Sequence, residues 1–261
     1  MKKTKGFTLI ELLISLGLLG GIILALFQTM GSTTQVSNST NASNDLIREG
    51  QIAQQLLSAQ FKEACYVYPA GANITMASSG YTTKNGGAWN WTVNTHPIVA
   101  LILPPASSDA TGKFYRFFAY YAIPRSQYVS GSTPDISINP GPDVMNDTTT
   151  WMLMEYRKPI DTSNTTNFPV PFNCAQLAAN SNFTITGAGG SAALLTDYIT
   201  PVTTSTELFS VGGTAPIGGA EFIEYNLRLS RTTREGNTVT VGGGASGTTM
   251  TAKVYPVNLL P

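Results

Sequence analysis

The apolar residues of this chain fall into two regimes that meet near residue 66. From Phe7 to Met30 there are 24 residues with one charge, Glu11, and no proline. As an α-helix that run is about 36 Å long, enough to cross a hydrocarbon layer of about 30 Å. Residues 31–44 are rich in Ser, Thr and Asn, modest helix formers, but contain no proline to force a break. From Asp45 to Ala64 a helical spacing appears: Ala53, Leu57, Phe61 and Ala64 form a stripe, with Ile52 and Leu56 beside it. The pattern predicts one long helix to Tyr66, apolar all round in its first half and amphipathic in its second. Gly17, Gly20, Gly21 and Gly31 offer places for it to bend, and the Gly17 and Gly21 pair offers a close approach to another helix.

After Pro69 the texture changes to short apolar or aromatic runs separated by Gly, Pro, Asn and Asp, which predicts β-strands and turns. The clearest strands are His96–Leu103, Phe114–Ile123, Trp151–Arg157 and Glu221–Leu229. In the last, Ile223, Tyr225, Leu227 and Leu229 alternate with Phe222, Glu224, Asn226 and Arg228, the period of a sheet with one buried face. Weaker candidates are Phe183–Thr186, Leu194–Ile199, Glu207–Val211, Thr238–Val241 and Thr249–Val254. Long polar connections, Ser126–Thr150 and Asp161–Asn173, read as surface loops. The fold class expected is α+β: a long N-terminal helix packed on a β-rich globular head.

Charge orients this layout. Lys2, Lys3 and Lys5 precede the apolar run, and no Lys or Arg follows until Arg48, which keeps the amino end cytoplasmic and exports the rest. A cleaved secretory signal fits less well, because its apolar core is about 7–15 residues and ends in a small-x-small site; a plain signal anchor fits the span and the charge bias alone. The whole chain is neutral, with 15 Lys+Arg and 15 Asp+Glu. Loss of Lys2, Lys3 and Lys5 leaves 12 against 15, a net charge of −3 and no global attraction to nucleic acid.

The run Gly6-Phe7-Thr8-Leu9-Ile10-Glu11-Leu12-Leu13, preceded by the basic leader, resembles the prepilin signature of type IV pilins and type II secretion pseudopilins. The resemblance implies cleavage after Gly6 by a prepilin peptidase and N-methylation of Phe7. It also implies that Glu11 serves assembly by pairing with the terminal amine of a neighbouring subunit, which neutralises a charge that lipid penalises. The expected divisions are a leader, 1–6; a transmembrane half-helix, 7–30; an exported amphipathic half, 31–66; and a β-rich head, 67–261. The layout resembles the minor pilin W and pseudopilin J group, whose members sit at or near a filament tip and help start assembly. The partners implied are other pilins or pseudopilins, the prepilin peptidase, the inner-membrane assembly platform and membrane lipid, with the protein in the bacterial inner membrane and then in a filament.

Other chemistry is sparse. Cys65 and Cys174, the two cysteines, either form a disulfide in an oxidising exported compartment or stand as separate thiols, and spacing does not decide between these. The sole histidine, His96, has no neighbours at the spacing of a triad or zinc site. Asp143 and Asp147, with Asp135 upstream, lie in a Pro/Gly-rich loop that does not match a calcium loop, and Val241–Gly247 lacks the Gly-Lys-Ser/Thr ending of a phosphate loop. No catalytic residue, metal site or cofactor is expected, so an enzyme is not. A second reading makes the head a filament-tip recognition module, an adhesin or a DNA-uptake head. It would use Arg228, Arg231 and Arg234 with Tyr81, Trp89 and Trp91, although Glu221, Glu224 and Glu235 offset those arginines.

Overall fold

In a computed structural model of the chain, helix α1 runs unbroken over Leu9–Glu63, 55 residues or about 80 Å. The residues described are 8–76, 82–84, 87–109, 111–129, 139–163, 174–179, 190–202, 207–243 and 250–259. None of the four glycines in the first half interrupts α1, and none of them meets a neighbouring atom within 4 Å of a Cβ position. The helix ends at Glu63, earlier than Tyr66, because Ala64 turns to extended backbone and its N–H bonds back to Phe61 O.

Among the described residues the head has three antiparallel sheets. The largest orders β1 (Tyr66–Val67), β4 (Ile98–Leu103), β5 (Phe114–Pro124), β6 (Trp151–Asp161), β7 (Ser191–Ile199), β10 (Arg228–Thr232) and β11 (Thr238–Gly242). A second orders β12 (Thr251–Val254), β9 (Phe222–Asn226) and β8 (Phe209–Gly212), and β2 (Asn73–Thr75) pairs with β3 (Asn90–Thr92). Short helices α2 (Arg125–Val129) and α3 (Cys174–Ala179) fill connections, so part of the long expected loop 126–150 is helical. The expected strand Phe183–Thr186 lies outside the described residues.

The second half of α1 lies across β7, β10 and β11 of the large sheet and β12 of the small one. Ala53, Leu57, Phe61 and Ala64 are wholly buried, and so, with little exposure, are Ala42 and Leu46 further up the helix. Ile52, beside the expected stripe, is 55 % exposed, because its position on the helix turns it from the sheets. Phe61 is where the sheets meet. Its ring lies edge-on to Tyr120 of β5 at 5.6 Å and to Phe209 and Tyr225 of the small sheet at 6.4 and 5.8 Å. One turn earlier the Ser58 hydroxyl bonds the Tyr225 oxygen (2.6 Å), and the Tyr225 hydroxyl donates to Gln54 O (3.2 Å). Gly50 brings the helix close to the head: a Cβ there would stand 2.5 Å from Met250 Sδ and 3.2 Å from Leu229 Cδ1.

The run Glu221–Leu229, expected as one strand, is two. Residues 222–226 pair with β8 and β12, whereas residues 228–232 pair with β11 and, at Leu229, with β7. The chain changes sheets at Leu227, whose N–H bonds Met250 O. Alternation continues through the change, with Ile223, Tyr225, Leu227 and Leu229 all buried. The period therefore reports which side faces the core and carries no information about which strand lies alongside.

Two further ties hold helix and head. Cys65 is disulfide-bonded to Cys174, with Cα atoms 5.9 Å apart across a sequence separation of 109. Glu49 of α1 accepts the Asp197 N–H (2.7 Å) and the Thr196 hydroxyl (2.9 Å) of β7. Asp197 in turn holds Arg125, which is 1 % exposed, also pairs with Asp147, donates to Gly141 O (2.7 Å) and faces the Tyr198 ring. Tyr198 takes φ 57, and its ring lies between Arg125 and Arg231, at 5.7 and 4.9 Å from the two guanidinium carbons. Burial pushes the Glu49 carboxyl above its ordinary range; the Asp197 and Thr196 bonds and Arg231 oppose this, and the Asp197 charge adds to it.

Three expected outcomes follow for unfolding of the detergent-solubilised chain. Phe61→Ala should cost about 3–5 kcal/mol while Ile52→Ala costs far less, because only the first opens a cavity. Replacing both Cys65 and Cys174 by Ser should cost about 2–5 kcal/mol by releasing a long loop in the unfolded state. A carboxyl with a raised folded-state pKa contributes fully to stability below its unfolded value, and that contribution is lost as pH climbs through the raised value. Glu49→Gln, which keeps the acceptor oxygen, should therefore match wild type below about pH 4 and exceed it at pH 7 by up to about 1 kcal/mol.

Candidate functional site

The first turn of α1 closes on itself. Thr8, in extended conformation (φ −78, ψ 149), is the N-cap and Glu11 is the third helical residue. Glu11 Oε2 accepts the Thr8 N–H at 2.9 Å and the Thr8 hydroxyl at 2.8 Å, while the Glu11 N–H donates to Thr8 Oγ1 at 3.4 Å. This is a capping box, which satisfies two N–H groups the helix cannot bond itself and sets a carboxylate against the positive end of its dipole. The Ser15 hydroxyl donates to Glu11 O at 2.7 Å. Around this polar turn stand Leu9, Ile10, Leu12, Leu13 and Ile14, all exposed, Leu9 at 80 %. Glu11 is thus the one carboxylate on a bare apolar surface, and it carries a charge that neutral donors soften without cancelling. Thr8 was missed as its partner, although Thr8-Leu-Ile-Glu11 is the Ser/Thr-x-x-Glu pattern that marks such a box. Gly6 and Phe7, the expected processing residues, lie outside the described residues.

The apolar half of α1 has the composition of a membrane span: an 18-residue window of mean hydropathy 2.5 with none of it buried against the head. Large side chains stay exposed from Leu9 to Met30, and burial begins only near Ala42. The helix therefore offers two surfaces along one axis, one for lipid or other apolar helices and one for its own head.

Elsewhere the candidate residues have structural partners. Asp147 pairs with Arg125, and Asp143 accepts the Tyr198 hydroxyl (3.1 Å) and the Asn146 side-chain amide (2.9 Å). Asp135 and Tyr81 lie outside the described residues. Among the described residues no group of three or more His, Cys, Asp or Glu side chains is placed to hold a metal. Arg231 is stacked on Tyr198, Glu224 is paired with Lys253 at 2.9 Å, and Glu235 accepts the Asn38 amide at 2.6 Å. Trp91 is wholly buried and Trp89 is 43 % exposed, so the two do not form one stacking surface. Val241 and Gly242 belong to β11, and residues 244–249 lie outside the described set.

Comparison with known proteins adds one finding. The family model described as the prokaryotic N-terminal methylation motif matches residues 1–27. No curated protein and no solved structure matches the chain. The matched stretch takes in the basic leader, Gly6, the capping box at Thr8 and Glu11, and most of the bare apolar helix, while the β-rich head is reached only by the rest of α1. A methylation motif at the head of such a helix is the type IV pilin and pseudopilin signal, and the chain carries it on a helix long and apolar enough to cross a membrane.

Proposed function

We propose that the chain is a minor pilin or pseudopilin, cut after Gly6, methylated at Phe7, and carried into a filament by its bare apolar helix. On this reading residues 1–6 are the leader, 7–30 lie in the inner membrane, 31–66 form the exported half of the helix and 67–261 the exported head. The observation that carries it is the Thr8–Glu11 turn within an exposed apolar surface. Cleavage at Gly6 leaves a charged amine four residues before Glu11. In a lone subunit, neutral donors from Thr8 hold the carboxylate; in a filament, the terminal amine of a neighbour supplies the opposite charge. The Thr8 bonds are charged on the acceptor side alone, whereas an ammonium facing the carboxylate adds the attraction of two full charges, which is strongest in a low-dielectric surround, so assembly gains from exchanging one partner for the other. The same exchange moves the apolar stripe Leu9–Met30 from lipid to other helices without exposing it to water.

The test separates capping from charge. Gln is as suited as Glu to a capping box, so Glu11→Gln keeps the helix start and removes the ion pair. When co-expressed with the assembly machinery, Glu11→Gln should reach the membrane fraction at wild-type levels and fall about tenfold or more in sheared filaments. Intact-mass measurement of the wild type should show loss of residues 1–6 and gain of one methyl group. Normal incorporation of Glu11→Gln would remove the charge-pairing role, and an unprocessed, unmethylated membrane protein would remove the pilin reading.

A further inference from the structure

We propose that the head carries a binding pocket for a terminal acidic sugar, with the carboxylate bridging Lys84 and His96 from the cavity side and the ring laid against Trp151. The proposal concerns the head alone and does not rest on the assembly role of Glu11.

The pocket begins from a hydrogen-bonding conflict. Between β3 and β4 the chain turns tightly, and the Thr92 N–H donates to His96 Nδ1 at 2.8 Å. A neutral imidazole whose Nδ1 accepts must carry its proton on Nε2. Burial and the nearby Lys84 charge hold the His96 pKa below its ordinary value, so the ring is neutral at pH 7. Lys84 comes from a separate turn, fixed by its own N–H to Ala88 O (2.7 Å) and by the Gly87 N–H to Lys84 O (3.0 Å). Its Nζ stands 3.0 Å from His96 Nε2. An ammonium group has donors and no acceptor. Two donors therefore face each other, and no carboxylate among the described residues pairs with either. An anionic oxygen that bridges both nitrogens from the cavity side would satisfy both.

The surroundings narrow the choice of anion. A cavity of 160 Å³ beside the two donors is lined by Lys84, Trp91, His96, Pro97, Ala122 and Trp151. Trp91 is buried and its Nε1–H is bonded to Thr82 O (2.8 Å), so it forms an apolar floor with Ala122 and offers no donor. Trp151, at the start of β6, is partly exposed and presents a wall. One positive charge among apolar walls balances one carboxylate, whereas a dianion would leave an uncompensated charge in a poorly solvated place. Beside that carboxylate site an aromatic and a proline surface suit the C–H face of a sugar ring. The volume is below the roughly 300–1,000 Å³ of pockets that enclose whole small molecules, so the site takes a terminal unit and leaves the remainder outside.

His96 is the only histidine, and that gives a clean measurement. The full chain, detergent-solubilised and labelled with ¹⁵N-histidine, would be titrated with sodium glucuronate, and in parallel with glucose, sodium acetate and sodium chloride at matched ionic strength. Glucuronate should move the His96 ring resonances saturably, with half-saturation at about 1–10 mM. Glucose and chloride should leave them in place, acetate should bind several-fold more weakly, and Lys84→Ala should weaken glucuronate binding about tenfold or more, measured from that variant's own unliganded spectrum. An unsaturable shift, an equal response to chloride, or unchanged binding by Lys84→Ala would overturn the pocket. Acetate binding as tightly as glucuronate would overturn the sugar assignment.

Discussion

The burial of one stripe of α1 is the constraint on which the rest of the head depends. The two larger sheets would expose apolar faces without the helix, and Phe61 is the side chain on which both close. Fully burying a residue of this kind is worth about 1.5–3 kcal/mol, and Leu46, Leu57 and Phe61 do so in sequence along one face. The glycine at 50 lets the helix approach Met250 and Leu229 between them. Hydrogen bonds from Tyr225 and to Glu49 then fix rotation and height, and the Cys65–Cys174 bond fastens the point where helix gives way to sheet. The head is therefore set rigidly on half of a helix whose other half is unclothed.

That unclothed half makes polarity costly, and Glu11 shows how the cost is met locally. The capping box uses a residue already required at the helix start, so the carboxylate proposed to pair between subunits is also a structural part of the single chain. A charge partnered only by neutral donors is held in place yet retains its electrostatic demand. This combination suits a group that must persist in a lone subunit and still favour association.

The head meets its own buried charges differently. Arg125 is enclosed by Asp147, Asp197, Gly141 O and the Tyr198 ring, and Glu49 reaches the same cluster from α1. Breaking such a network by removing one partner leaves a charge in the interior, which is more costly than never having placed it there. Asp143 and Asp147, which in sequence lay in a loop without a matching cation motif, are thereby committed to structure. The Lys84 and His96 pair stands apart, because there the buried-side donors face each other with no acceptor between them.

Much of the layout was legible in the chain. The apolar run, the methylation motif and the stripe Ala53, Leu57, Phe61 and Ala64 are local patterns, and a helix is a local structure whose period is written in consecutive residues. Alternation in 222–229 likewise showed which side chains turn inward, and Thr8-x-x-Glu11 was there to be read. What only the tertiary structure decided was partnership: that 222–226 and 228–232 belong to different sheets, that Cys65 reaches Cys174, that Asp147 and Asp197 converge on Arg125, and that Ile52 misses the core. These depend on register between segments far apart in sequence. Periodicity along one strand leaves register free, and only the joint packing of helix and sheets removes that freedom.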